Sequence, residues 1–183
     1  ELEELKKEVL NCKKCPLYKT RNNIVFGEGN PNTKIMFVGE GPGQTEDETG
    51  HAFVGKSGKL LDELFKESGI KREDVYIANI VKCRVPYNAD PSNDCKRICF
   101  PYLYKQIQII KPKVIVCLGR IAATTLIDPN FKITKQRGKW YKRGEYLMTA
   151  TYHPSALLRN ESLIEDAKKD FKFLGDKLNK KHI

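Results

Sequence analysis

Residues 33–43 read TKIMFVGEGPG, and the way the chain leaves this apolar run decides the fold. A short apolar run ending in glycine reads as a buried strand. Further on, Gly50–Ser57 reads GHAFVGKS, a letter-for-letter match to the phosphate-binding pattern G-x-x-x-x-G-K-[ST]. A true phosphate loop starts directly after its strand, so that backbone N–H groups wrap the phosphates. Here the strand ends at Gly39, and Glu40, Glu46, Asp47 and Glu48 intervene before Gly50. Those carboxylates would repel a triphosphate. No later apolar run ends in the Asp that should hold magnesium: VYIAN ends in Asn79 and KVIVCLG in Gly119. GHAFVGKS is therefore an accidental match, and Glu40–Lys56 is a long loop of the kind that carries function. Phe53, in its middle, is either a plug under the loop or a stacking platform for a flat ligand.

Outward from this segment, DVYIANIV (74–81), KVIVCLG (113–119) and YLMTATYHP (146–154) read as further strands. Residues 57–69 have Leu60, Leu61, Leu64 and Phe65 at helical spacing, with Ser57 as N-cap and Gly69 as stop. Residues 95–110 read as a helix with Pro101 near its start or kinking it, RIAATTLI as another, and 161–178 as an amphipathic one. A short helix is expected over residues 1–11. Alternating strands and helices predict a single α/β domain: a three-layer αβα sandwich around a central, mainly parallel four-stranded sheet. Such sheets bind ligands at the carboxyl ends of their strands. The residues delivered there are Glu40, Gly41, Pro42 and Gly43, then Asn79, Gly119 and His153. One carboxylate, one amide and one imidazole on a shared edge suit the reading and cleaving of a small polar ligand.

The 183 residues carry 33 Lys and Arg against 23 Asp and Glu, a net charge of +10, which favours a polyanionic partner. Lys- and Glu-rich surfaces are also a habit of heat-adapted proteins. No apolar run approaches a membrane span, and the charged, amphipathic start ELEELKKEVL resembles neither signal nor anchor. The expectation is a soluble, cytoplasmic monomer. Six cysteines in such a chain point to metal or cluster ligation rather than disulfides. Cys12 and Cys15 form C-x-x-C; Cys83 with Cys99 or Cys95 supplies the second pair, and spacing does not choose between these two. Zinc and [4Fe–4S] both remain open on ligand count. Cys117, inside VIVCL, reads as a core thiol.

GEGPGQTEDETGHAFVG (39–55), NIVKCR with Asn88 beyond it, and HPSALLR (153–159), together with the placement of the cysteines, resemble the family 4 uracil-DNA glycosylases, the iron–sulfur enzymes of archaea and thermophilic bacteria. The resemblance runs from Cys12 to Arg159, with one small departure at Ala52, where the family usually has Pro. It implies extrusion of uracil from single- or double-stranded DNA and hydrolysis of its N-glycosidic bond. By that likeness Phe53 stacks on the base, Asn79 pairs with O4 and N3–H, and His153 donates to O2. Gly41 takes the slot where better-known uracil glycosylases carry a water-positioning Asp. Glu40 is the first candidate for the water, with Glu46, Asp47 and Asn88 as alternates; equally, Glu40 could serve only to order its loop. Gly41, Gly43, Glu46 and Asn88 line the substrate, Leu157 is preferred to Leu158 as the wedge, and Ser155 and Arg159 face DNA. Arg84, with Lys82, Lys96 and Arg97, sets the cluster loops against the phosphate backbone. A structural [4Fe–4S] cluster on Cys12, Cys15, Cys83 and Cys99 is implied. The competing reading is a non-catalytic iron–sulfur or zinc nucleic-acid-binding module. Nothing in these residues specifies a sliding-clamp contact, and the basic NKKHI (179–183) reads as a solvated tail.

Overall fold

The computed structural model describes residues 1–179; the basic end beyond Asn179 lies outside the described residues. Among the described residues six strands form one sheet: β1 (Glu28–Gly29), β2 (Ile35–Gly39), β3 (Tyr76–Asn79), β4 (Val114–Leu118), β5 (Tyr141–Arg143) and β6 (Tyr146–Thr151). Their order is β1-β3-β2-β4-β6-β5. The four strands read from sequence are the parallel centre, β3-β2-β4-β6. The expected count of four is corrected by two short edge strands, β1 and β5, which pair antiparallel to β3 and β6. Antiparallel edges on a parallel sheet are common, and strands this short carry no periodic signal.

Eight helices among the described residues surround the sheet: α1 (Leu2–Leu10), α2 (Gln44–Thr49), α3 (Lys56–Ser68), α4 (Asn93–Ile110), α5 (Arg120–Leu126), α6 (Ile133–Gln136), α7 (Pro154–Arg159) and α8 (Ile164–Asn179). All of β2 is buried because both faces are covered. Ile35 and Phe37 pack with Leu61 and Phe65 of α3 and Phe171 of α8. Met36 and Val38, pointing the other way, pack with Leu103 and Ile107 of α4 and Ala122 of α5. A third cluster joins α1 to α4 through Leu5, Val9 and Tyr102 and takes in every cysteine but Cys117.

Local expectations shift in three places. The cap of α3 is Gly55 rather than Ser57, which lies in the first turn. The loop Glu40–Lys56 is interrupted by α2, whose polar sequence hides it from a hydrophobic pattern. Pro101 sits in the middle of α4, where its missing N–H leaves the Arg97 carbonyl without its helical donor; Ser92 caps this helix by accepting from the Cys95 N–H at 3.1 Å.

Register brings the site together. Gly39 lies directly beside Asn79, and Leu118 beside Thr151, so the carboxyl ends of β2, β3, β4 and β6 finish along one rim. The β2–β3 pairing continues past the strands, with Ile80 N–H on Gly39 O (2.9 Å) and Val81 N–H on Glu40 O (3.1 Å).

Candidate active site

A cavity of about 450 Å³ opens at that rim, within the ordinary range for small-ligand sites. Glu40, Gly41, Phe53, Asn79, His153 and Arg159 line it, so residues far apart in the chain face one space.

Phe53 is almost fully buried in the core, yet its ring edges the cavity. Its φ is +50°, unusual for an aromatic residue. Arg72 holds this backbone, donating from Nη1 to Phe53 O (2.8 Å) and from Nη2 to Ala52 O (2.5 Å) while pairing with Asp62 at 2.9 Å. Arg72 is missed by sequence reasoning, since nothing near it marks a partner nineteen positions earlier. The close approach here needs Gly39: a Cβ there would lie 2.6 Å from Asn79 Oδ1 and 2.7 Å from Phe53 Cζ.

Asn79 is 2% exposed, and its Oδ1 is buried with no hydrogen-bond partner among the described residues. Such an orphan costs about 1–3 kcal/mol. Its carbonyl accepts from Lys82 Nζ at 3.0 Å, and the same ammonium donates to Gln106 Oε1 at 2.6 Å.

His153 caps α7. Its Nδ1 accepts from the Ser155 N–H at 3.1 Å and lies 2.8 Å from Ser155 Oγ. A ring nitrogen that accepts from a backbone N–H holds no proton, so the neutral ring carries its proton on Nε2. Burial, reinforced by the Arg159 charge and opposed by Glu46, pulls the imidazole down to about 4. The ring sits 5.6 Å from Phe53, tilted by 36°. Gly119, at φ +91°, makes room for it: a Cβ would lie 2.8 Å from His153 Cβ.

Three of the four carboxylates of the loop divide the work. Glu46 accepts from the N–H groups of Gly43 (3.0 Å), Val54 (2.9 Å) and Gly55 (2.7 Å), stitching the loop together. Asp47 accepts from Asn22 N–H at 2.8 Å and Asn23 N–H at 3.2 Å, away from the cavity. Asp47, which also accepts from Asn22 Nδ2 at 2.8 Å, does not line the cavity, whereas Glu46 lines it with both oxygens accepting from backbone N–H groups. The half-buried Glu40 carboxyl has no hydrogen-bond partner among the described residues; burial, then Asp90, pushes it up against the pull of Arg120, Arg159 and Lys96. The exposed Asn88 lines the cavity mouth, as do Gly43 and Ser155.

At α7 one preference is reversed. Leu157 is fully buried in the core and cannot reach DNA, whereas Leu158 is 48% exposed. A helix of six residues is too short for its phase to be read from sequence. Arg159 is exposed at the rim. Arg84 lies apart, in a separate groove with Thr20, Pro86 and Tyr87.

Cys12, Cys15, Cys83 and Cys99 line one small cavity beneath Tyr102, beside Leu17 and Ile24. Cys95 is buried next to Cys15 and does not line it. All six cysteines are unbridged, and Cys117 is a fully buried core thiol. No group of three or more His, Cys, Asp or Glu among the described residues is drawn together tightly enough for a single metal ion. Arg21 Nη1 donates to Cys83 Sγ at 3.5 Å and to Cys12 O at 2.8 Å. No helix among the described residues is long and apolar enough to cross a membrane.

Residues 26–178 match the Uracil DNA glycosylase superfamily, and the chain belongs to that superfamily. Several relatives are similar along nearly their whole length. A type-4 uracil-DNA glycosylase of Sulfurisphaera tokodaii is 49% identical over 93% of this chain and 82% of that protein. Its counterpart in Thermotoga maritima is 47% identical over 94% of each, and that of Archaeoglobus fulgidus 44% identical over 98% and 94%. Within the superfamily the likeness is thus to the type-4 enzymes.

Proposed function

We propose that the protein is a uracil-DNA glycosylase of DNA repair, a hydrolase that extrudes uracil and cleaves its N-glycosidic bond to leave an abasic site. The observation that carries the reading is the buried, partnerless Oδ1 of Asn79 in a cavity shared with Phe53 and His153. Uracil offers the donor N3–H to that oxygen and the acceptor O4 to the amide nitrogen; cytosine offers the reverse pattern, which would leave buried polar groups unpaired.

Extrusion costs a few kcal/mol and is cheapest where the base is mispaired or unpaired. Leu158, exposed and next in sequence to the cavity-lining Arg159, fills the gap in the stack, and Arg159 and Ser155 hold the backbone around it. Phe53 stacks on the extruded ring. His153 Nε2–H donates to O2 as the departing base gains negative charge, and the Ser155 N–H on Nδ1 keeps the ring in that tautomer. A donor so placed is worth about 3–4 kcal/mol at the transition state. Glu40 positions the attacking water and steadies the cationic sugar, with its oxygens not already spent on the loop.

The four thiols around one apolar cavity fit an iron–sulfur cluster better than a single ion. Four thiolates each about 2.3 Å from one zinc ion would have to be gathered tightly, and no group of three or more such ligands is so gathered among the described residues, whereas a cluster spreads its ligands. Cys12, Cys15, Cys83 and Cys99 would hold a structural [4Fe–4S] group, which ties the N-terminal segment to the loop after β3. The working form is a cytoplasmic monomer acting on DNA.

The test is direct: incubate the protein with a uracil-containing oligonucleotide, treat with alkali and look for cleavage at the uracil. An uncut strand with folded protein refutes the reading and leaves the non-catalytic binding module in its place.

A further inference from the structure

The loop after β3 carries a feature that the excision chemistry does not use. Tyr87 is 97% exposed, the most open large side chain among the exposed hydrophobics. Its φ is +60° and that of Asn88 is +52°, two consecutive left-handed residues without glycine. An L-residue pays a steric cost for this conformation, and a solvated ring returns nothing in packing. Folding alone therefore gives no reason for a tyrosine at this position.

Its neighbours supply one. Tyr87 shares a groove with Arg84, Pro86 and Thr20, and Arg84 Nε is buried there without a hydrogen-bond partner among the described residues. The next residues of the same loop, Asn88, Ala89 and Asp90, line the mouth of the uracil cavity. The two depressions thus sit on either side of one short loop, and Tyr87 stands on the ridge between them. A flat aromatic face beside a guanidinium, on the same loop that borders the cavity, matches how single strands are held: bases stack on rings and the backbone tracks cations.

We propose that Tyr87 is the stacking platform for the unpaired base that neighbours the extruded uracil, with Arg84 taking the adjacent phosphate. The proposal rests on the uracil-excision reading for the identity of the neighbouring base. It makes an unpaired stretch of DNA a favoured substrate, since a base inside a duplex is already stacked.

The experiment measures binding of a fluorescently labelled, uracil-free oligothymidylate single strand to the intact protein at fixed salt. Y87A should weaken binding roughly tenfold, and Y87F should stay within about twofold of the parent. The slope of log Kd against log salt should not change in Y87A, because no charge is lost. Y87W places an indole at the ridge, far in sequence from the single native Trp140, and its fluorescence should be quenched as the strand binds. Y87G, free of the left-handed strain, should raise Tm while weakening binding, so stability and affinity move in opposite directions. With a uracil-bearing single strand, Y87A should raise KM about tenfold with a much smaller change in kcat. Equal affinity of Y87A and the parent, or equal losses in Y87A and Y87F, overturns the stacking role. Failure of the parent protein to release uracil refutes the excision reading separately, while the oligothymidylate arm still decides whether Tyr87 stacks.

Discussion

Asn79 makes a prediction in which stability and activity part company. Its Oδ1 is buried against Gly39 and Phe53 with no donor among the described residues, so the free protein carries an unsatisfied acceptor. Asn79→Leu keeps the branched outline and the number of heavy atoms and removes the orphan. The gain is the desolvation cost of one neutral acceptor, about 1–3 kcal/mol, which in a domain of this size raises Tm by about 2–4 °C per kcal/mol. The same change deletes both hydrogen bonds to the base, and at about 1–3 kcal/mol for each unpaired group kcat/KM should fall by about 30-fold to 10⁴-fold. The assay pairs thermal unfolding with single-turnover release of uracil. A variant that melts lower than the parent and still excises uracil would refute the reasoning, because Asn79 would then be a structural residue.

Three further outcomes are expected of the site. Glu40 must be charged to hold the water, and burial raises its carboxyl, so activity should fall on acidification at a pH above the ordinary carboxylate value of 4.5; Glu40→Gln should be slow and should lose that acid limb in a kcat/KM profile. Leu157→Ala should cost about 2–5 kcal/mol in denaturant unfolding, whereas Leu158→Ala should leave stability within about 0.5 kcal/mol and slow excision from duplex more than from single strands. Cys83→Ser and Cys99→Ser should abolish the visible absorbance of anaerobically prepared protein and lower its Tm, while Cys95→Ser keeps the absorbance; zinc in place of iron in metal analysis would overturn the cluster assignment without touching the fold.

Much of the fold is legible in the chain because burial on both faces leaves a plain mark. IMFVG, YIAN and VIVCL are unbroken apolar runs, and the residues at and just past their carboxyl ends are the ones displayed on the rim. The edge strands are not legible: Glu28–Gly29 is two polar or small residues, and Tyr141–Arg143 is defined by its hairpin with β6 rather than by pattern. The roles of Glu40, Glu46 and Asp47 are equally hidden. The three are chemically alike, and only the fold of the loop decides which one meets backbone N–H groups and which one faces the cavity. Leu157 and Leu158 are adjacent and identical, and a single step along the helix separates core from surface. Arg72 depends on a contact between segments that no local spacing announces.

Lys82 gives the cysteine lobe a stake in the choice of base. Its ammonium, sealed from solvent, lies against the thiol cavity and hangs from the carbonyl of the very residue that would discriminate uracil from cytosine, with Gln106 as its other anchor. Aliphatic side chains packed into that cavity would leave the ammonium against a wholly apolar wall, with Asn79 O and Gln106 Oε1 still holding it. The wall of the thiol cavity and the hold on the Asn79 carbonyl thus pass through one buried lysine.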